Sequence, residues 1–176
     1  IMIPSARIDV KMMKLSAMRV GLSEDEINRY LRICLLHFSA TQTEPFVIPL
    51  KGNDINEDGK AIIRVEEDRM KATGQPLVTV GGYDSGIATY GMDAMMRAAV
   101  IDAARARDKG NLNIVVQRPG YGAASTIIGE MADIHLKLTE RNGALILYGV
   151  KPRTILYAVE MDTSRGYYAP SFTPIV

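Results

Sequence analysis

Strand-like and helix-like segments alternate along residues 23–131, and this alternation restricts the chain to few folds. Short runs rich in β-branched residues predict strands, and apolar residues spaced three or four positions apart predict the helices between them. Strands that are joined through helices pair in parallel, with right-handed crossovers. The sequence therefore predicts an α/β domain in which a mostly parallel sheet is flanked by helices.

The first predicted helix, from Glu24 to Leu31, begins behind a capping box in which Ser23 and Glu26 can bond reciprocally. The apolar run at 33–38 predicts a buried strand, because parallel strands covered on both faces carry such unbroken runs. Residues 1–22 are assigned to an N-terminal arm or linker, and residues 23–176 to the domain. The other elements predicted in alternation are helix 61–72, strand 77–80, helix 92–108, strand 111–117 and helix 125–131.

The pattern changes after residue 133. Residues 134–139 alternate between apolar and polar, as in a half-buried strand. Asn142-Gly143 is typical of a type I′ turn, which needs positive φ at both central residues. The sequence predicts that the chain returns along 144–148, with further strands at 155–161 and 173–176. We therefore expect C-terminal antiparallel hairpins that extend the parallel sheet.

Composition and charge exclude several classes of function. With 21 Lys and Arg against 20 Asp and Glu, the net charge is +1, so nucleic acid is not an expected partner. The single cysteine, Cys34, cannot form an internal disulfide, and two histidines are too few for a Cys/His metal cluster. No apolar run has the length of a membrane span, and no secretory signal is visible, so a cytoplasmic location is expected.

Nucleophilic catalysis has little support in the sequence. In a strand, Cys34 and His37 point to opposite faces and cannot form a dyad. His135 is predicted to point outward from a hairpin strand. The charged residues of the long helix, among them Asp102 and Arg105, are predicted to form a solvated face.

Residues 54–59 resemble the first half of a calcium-binding loop. Oxygen-bearing side chains occupy alternate positions, and Gly59 permits a sharp turn. The twelfth position, however, is Val65, and Glu66 comes one residue late. A turn before a helix explains the same residues, so both interpretations stay open.

A phosphate loop is absent from the sequence. Gly59-Lys60 is the only Gly-Lys pair, and Ala61 follows it where the pattern requires Ser or Thr. Asp54 stands where the pattern requires the first Gly. The chain alone therefore has no recognisable triphosphate cradle.

Asp84 and the segment Lys151-Pro152-Arg153 are the best candidates for chemistry. Asp84 follows the predicted strand 77–80, and a carboxylate at the carboxyl edge of a parallel sheet can hold Mg²⁺ or a water. Turn chemistry is the plain alternative for this Asp. Lys151 and Arg153 flank a proline at a corner. They form either a solvated turn or a finger offered to a neighbour's phosphates.

The C-terminal half resembles the end of archaeal KaiC-like ATPases of the RecA superfamily, including relatives described as gas-vesicle regulatory ATPases. The order of elements also fits, since a strand that ends in Asp84 is followed by a long helix and a strand. The resemblance covers about residues 31–176. It rests on residues 118–120, 133–138, 142–143, 147–154 and 173–176.

This resemblance implies a RecA-like core that forms a homo-oligomer and holds ATP and Mg²⁺ at subunit interfaces. Asp84 would be the Walker B acid and metal ligand, with Ser85 and Arg118 beside it in the cofactor site. Lys151 and Arg153 would match the Lys-x-Arg pair that reaches the neighbour's γ-phosphate. The implied catalytic residues are thus Asp84, Lys151 and Arg153.

Two departures from the family pattern lead to two hypotheses. The Walker A loop that normally precedes these motifs is missing, and Gly81-Gly82 interrupts the Walker B strand. Because the chain begins at Ile1, we expect it to be the rear part of a longer ATPase, inactive alone. The alternative is a non-catalytic regulatory or assembly protein that keeps the fold as a scaffold for protein partners. DNA binding has only fold analogy behind it.

Overall fold

Two β-sheets organise the part of the chain that the computed structural model describes, residues 2–3, 9–36, 44–118, 120–164 and 169–175. The first sheet has five parallel strands in the order β3-β2-β1-β4-β5. The second has four antiparallel strands in the order β6-β7-β8-β9. The strands are β1 (Met2–Ile3), β2 (Ile33–Leu35), β3 (Val47–Pro49), β4 (Val78–Gly81), β5 (Leu112–Val115), β6 (His135–Arg141), β7 (Ala144–Lys151), β8 (Tyr157–Asp162) and β9 (Ala169–Pro174).

The parallel sheet reverses its direction of growth once. From β1 the chain moves outward to β2 and β3, then returns to the other side of β1 for β4 and β5. The carboxyl ends of all five strands lie at one edge, and the reversal falls between β1 and β4. In open α/β sheets, ligands bind outside the carboxyl ends of the strands at such a reversal.

Local sequence signals set the ends of several helices. The predicted capping box is confirmed, because the Glu26 N–H donates to Ser23 Oγ at 3.2 Å and the Ser23 N–H donates to Glu26 Oε2 at 2.8 Å. Gly74 and Gly110 end two helices with left-handed φ values of 65° and 67°. The helices are α1 (Val10–Arg19), α2 (Glu24–Tyr30), α3 (Ile55–Thr73), α4 (Asp84–Tyr90), α5 (Met92–Lys109) and α6 (Gly122–Met131).

Strand β2 lies between two apolar clusters, as its unbroken apolar sequence predicts. Ile33 and Leu35 pack with residues of α1, α2 and the start of β3, and Phe46 is fully buried there. Cys34 points to the other face and packs with residues beside α3. Burial raises the pKa of the Cys34 thiol to about 12, so the thiolate that a nucleophile requires is strongly disfavoured.

The structure corrects one prediction about the N-terminal third and decides between two open interpretations. In its described residues, the segment 1–22 is part of the domain and not an arm, because β1 is the central strand of the sheet and Val10 of α1 is buried in the core. For residues 54–59, the structure supports the start of a helix over the calcium loop. Asp54 caps α3 by accepting from the Asn56 N–H at 2.8 Å, and the residues after it are helical. No cluster of three or more metal-ligating side chains occurs in the described ranges.

The C-terminal hairpins form a separate sheet and do not extend the parallel one. The predicted turn at Asn142-Gly143 is confirmed, since its two residues have φ values of 51° and 79°. Just before β6, the Asp133 carboxylate accepts two hydrogen bonds of 3.0 Å from Arg107 of α5, which fixes the start of this sheet to α5. None of the helices in the described ranges combines the length and the hydropathy that a bilayer span needs.

A buried carboxylate fixes the start of α3 against α4. Asp58 is only 5% exposed and accepts three hydrogen bonds. The donors are the Lys51 N–H at 2.9 Å, the Gly52 N–H at 2.7 Å and the Tyr90 hydroxyl at 2.6 Å. Burial alone would raise the pKa of Asp58, but these donors and the Lys51 charge outweigh it and lower the pKa. The Asp58 carboxylate thus pairs with the backbone N–H groups of the loop between β3 and α3.

We expect Asp58→Asn to lower the free energy of unfolding by about 2–3 kcal/mol at pH 7, because an amide cannot accept from all three donors. The lowered pKa of Asp58 means that this stability is present above about pH 4 and is lost as the pH falls further. Urea unfolding at pH 7 and at pH 3 measures both effects. The control is Asp68→Asn, on the exposed side of α3. An equal loss at both pH values would contradict the role of the charge.

Candidate functional site

Asp84 lies at the carboxyl edge of the parallel sheet, where the sequence places it. Strand β4 ends at Gly81, and Asp84 is the first residue of α4. Gly82, between them, runs so close to β5 that an added Cβ would lie 2.5 Å from the Val116 carbonyl oxygen. Glycine at 82 therefore permits the loops that leave β4 and β5 to meet.

The side chains that meet there are Asp84, Gln117 and Arg118, which we call the edge triad. Gln117 Nε2 donates to Asp84 Oδ1 at 2.6 Å, and Arg118 Nε lies 3.4 Å from Asp84 Oδ2. The Asp84 side chain is 13% exposed, whereas that of Arg118 is 51% exposed. The carboxylate is thus contacted by a half-buried amide on one oxygen and by an exposed cation on the other.

One polar atom of the edge triad has no partner. Gln117 Oε1 is buried and accepts no hydrogen bond from the described residues. Its orientation is fixed, because the amide nitrogen has to face the carboxylate, which only accepts. An unpaired buried acceptor is costly, so Gln117 makes its bond to Asp84 while its own carbonyl oxygen lacks a donor among the described residues.

The chemistry of the edge triad suits a phosphate with its metal. A carboxylate and an amide oxygen are ligands of the kind that Mg²⁺ or its bound waters take. An exposed guanidinium can turn to a phosphate and bind it in a bidentate manner. Metal binding by Asp84 and phosphate binding by Arg118 are compatible, because Arg118 can leave Asp84 when a metal binds the carboxylate in its place.

The structure brings together only some of the residues predicted from the sequence. Asp84 and Arg118 are in contact, and Ser85 follows in the first turn of α4. Lys151 is the last residue of β7, and its Nζ donates to the Glu130 carbonyl at 3.2 Å. Arg153 follows β7 and forms an isolated backbone bridge with Val150. Neither cation bonds to Asp84 within the described residues, so their proposed contact with a neighbour's phosphate stays a prediction.

Sequence reasoning missed Gln117 and misplaced His135. Gln117 was covered by the predicted strand 111–117, although β5 ends at Val115 and leaves Gln117 free to turn toward Asp84. His135 does not point outward, because its ring lies against α6, within 2.7 Å of where a Cβ on Gly129 would be. His37 lies outside the described residues.

A second polar cluster lines a cleft under helices α3 and α5. The cleft is small, with a volume of about 50 Å³, and it is open to solvent. Arg105, predicted to be solvated, pairs instead with Glu66 at 2.5 Å and lies 3.7 Å from Asp102. At the floor of the cleft, the Thr79 hydroxyl donates to Asn113 Oδ1 at 3.0 Å, and this hydrogen bond links β4 to β5.

Asp102 is the unfavourable member of this cluster. Burial, and then the charge of Glu66, raise the pKa of Asp102 to about 6, although Arg105 opposes the change. Arg105 is closer to Glu66 than to Asp102, so its charge compensates Asp102 only in part. Near neutral pH Asp102 is therefore ionised in the folded state, and the ionised carboxylate lowers the stability of the fold.

Comparison with known proteins shows the fold alone. No family model and no curated protein matches the chain. Among solved structures, it is similar to the crystal structure of an uncharacterized protein from Pyrococcus horikoshii in complex with an unknown peptide. The two share 12% sequence identity with a TM-score of 0.63, over 99% of this chain and 79% of that one. The mixed α/β architecture is therefore one that a solved structure also has.

We expect Asp102→Asn to stabilise the protein above pH 6. A folded-state pKa raised above the unfolded value means that stability is present below about pH 4 and is lost as the pH rises through 6. The side chain is 38% exposed, so solvent screens part of the penalty. Thermal unfolding at pH 8 should show a Tm increase of about 2–4 °C, the shift expected for roughly 1 kcal/mol.

At pH 4 the same variant should unfold within about 1 °C of the parent, because Asp102 is then protonated in the folded state. Asp108→Asn, at an exposed position near the end of the same helix, is the control. A gain that is as large at pH 4 as at pH 8 would disprove the explanation by charge.

Proposed function

We propose that this chain is a nucleotide-binding module of the RecA/KaiC-like type that acts in an oligomer and binds ATP with Mg²⁺ at its edge triad. The observation that carries the proposal is the contact between Asp84 and Arg118. The two residues are 34 positions apart in the sequence and follow different strands, yet both were predicted from the sequence to bind the cofactor. Their meeting place is the carboxyl edge beside the reversal of the sheet.

Each member of the edge triad has a defined task in this proposal. Bound Mg·ATP supplies a triphosphate with a metal that neutralises its charge. The Asp84 carboxylate holds the metal or one of its waters, and the Gln117 amide keeps that carboxylate oriented through its hydrogen bond. Arg118 turns away from Asp84 and pairs with a phosphate oxygen.

The remaining parts of an ATPase are supplied from elsewhere in this proposal. The sequence has no Gly-x-x-x-x-Gly-Lys-Ser/Thr pattern, so the chain lacks the backbone cradle that grips a triphosphate. Lys151 and Arg153 are exposed cations and would act on a nucleotide held by a neighbouring subunit. We therefore expect weak, Mg²⁺-dependent binding by the chain alone and no hydrolysis.

Titration with a fluorescent ATP analogue, with Mg²⁺ and with EDTA, tests the proposal. Asp84→Asn should weaken binding at least tenfold when Mg²⁺ is present and change it little in EDTA, because Asp84 acts through the metal. Arg118→Ala should weaken binding in both conditions, because it contacts the phosphate.

The matched controls are Asp93→Asn and Arg141→Ala, which change exposed residues outside the edge triad. Both should bind as the parent chain does. No binding by the parent chain at millimolar Mg·ATP, or an equal effect of Asp84→Asn and Asp93→Asn, would refute the assignment.

A second candidate function, a non-catalytic scaffold that binds extended peptides, is favoured by the outer strand β5. Within the described residues β5 pairs only with β4, so its other edge is open. Leu112 and Ile114 lie on one face in register with Val78 and Val80, and Leu112, Ile114 and Val78 are exposed. An added strand would use the open edge for main-chain hydrogen bonds and this face for side chains. The similar structure from P. horikoshii is itself a complex with an unknown peptide.

A fluorescein-labelled Val-Thr-Val-Thr-Val peptide is a suitable probe for this second function. We expect Ile114→Lys to weaken its binding at least tenfold in fluorescence anisotropy, because a charge then faces the apolar side of the added strand. Ile101→Lys, at an exposed position on α5, should bind as the parent chain does. If both variants bind equally well, the edge of β5 is not the peptide site.

A further inference from the structure

The antiparallel sheet has one apolar face that no layer of the described chain covers. Across it, Leu138, Leu147 and Tyr157 form one row in register, and Leu145, Val159 and Phe172 form the next. We call these six side chains the apolar face. None is buried, and Leu138 and Phe172 are 57% and 51% exposed. None takes part in the three buried clusters of the domain.

The opposite face of the same sheet mixes polar side chains with apolar ones, among them Ile146, Tyr148 and Ala158. Alternation along β6 places Lys137 and Thr139 there, and Thr173 follows Phe172 on β9 with its side chain on that side. A sheet with one apolar face is stable only when a second layer buries that face. The sequence pattern of the sheet is therefore that of one half of a two-layer structure.

We propose that the second layer is the apolar face of another copy of this chain, related by a two-fold axis. The face carries one charged residue in these rows, Glu140, which pairs with Leu145 next to the hairpin end of β6. The partner surface therefore has to be apolar and flat. Glu140 and the hairpin end of β6 have to lie at the edge of the contact. The same face on a second copy meets these conditions, because two-fold packing places like surfaces together. Sheets pack face to face in this way at about −30°.

The size of the face agrees with what a stable dimer buries. Four strands about 4.8 Å apart and about seven residues long, at roughly 3.4 Å per residue, cover about 450 Å² of flat area. The accessible surface is larger, because side chains stand out from the sheet. A standard interface buries roughly 800 Å² per partner, so the contact has to use most of this sheet face.

Sedimentation equilibrium of the 176-residue chain between 1 and about 100 µM tests the proposal. We expect a mass twice that of the 19.3 kDa chain at the upper concentrations. Leu138→Asp and Phe172→Asp each place a carboxylate in the contact and should raise the dimer Kd at least 100-fold. The matched controls, Lys137→Asp and Thr173→Asp, change the neighbouring residue on the opposite face and should raise it less than threefold.

Cross-linking gives a second readout that does not depend on a destabilising charge. Phe172→Cys, treated with a short bismaleimide, should yield a covalent dimer, whereas Thr173→Cys should not. The native Cys34 is buried and does not react under these conditions.

A parent chain that stays monomeric at every concentration overturns the proposal and points to a different protein as the cover. Controls that dissociate the dimer as strongly as Leu138→Asp and Phe172→Asp also overturn it. The outcome is separable from nucleotide binding, because the edge triad belongs to the parallel sheet. Loss of dimerisation with normal nucleotide binding, or the reverse, identifies which proposal has failed.

Discussion

The parallel pairing of β4 with β5 is the constraint on which the candidate site depends. In register, Val78 to Gly81 lie beside Leu112 to Val115, so the two strands end together at one edge of the sheet. The Thr79–Asn113 hydrogen bond ties the two strands from below, and Gly82 lets their outgoing loops approach. A shift of one residue in this register would move Gln117 and Arg118 away from Asp84, and the edge triad would not exist.

Two aspartates of this chain show how surroundings decide what a buried carboxylate does. Asp58 accepts from two backbone N–H groups and a hydroxyl, and its pKa is lowered. Asp102 lies near Glu66 and shares an arginine with it, and its pKa is raised to about 6. The first carboxylate stabilises the fold near neutral pH, and the second destabilises it. Burial opposes ionisation in both cases, but only Asp58 has hydrogen-bond donors and a nearby cation that outweigh it.

Two groups of apolar side chains lie on sheet faces that the described chain does not bury. One lies on β4 and β5, on the side of the parallel sheet where residues of α1 and α2 cover only β2 and β3. The other is the apolar face of the antiparallel sheet. Both have the period-two pattern of strands that are buried on that side, yet none of these side chains is buried within the described residues. Both faces lie apart from the edge triad.

The sequence by itself determined those features that depend on residues close together in the chain. The capping box at Ser23 and the turn at Asn142-Gly143 are confirmed, because each is set by a few neighbouring residues. Asp84 was also predicted at the carboxyl edge of the sheet, because it follows the strand predicted at 77–80.

Tertiary structure alone decided the features that depend on pairing between distant segments. It placed β1 at the centre of the sheet, which no local pattern in Met2–Ile3 predicts, and it separated the hairpins into a second sheet. It also started α3 at Ile55, within a segment that has the composition of a turn. Asp58 can lie in that helix because donors from the loop after β3 and from α4 satisfy its carboxylate. The physical reason is the same in each case: strand pairing and buried hydrogen bonds join residues far apart in sequence, and a local pattern carries no information about the partner.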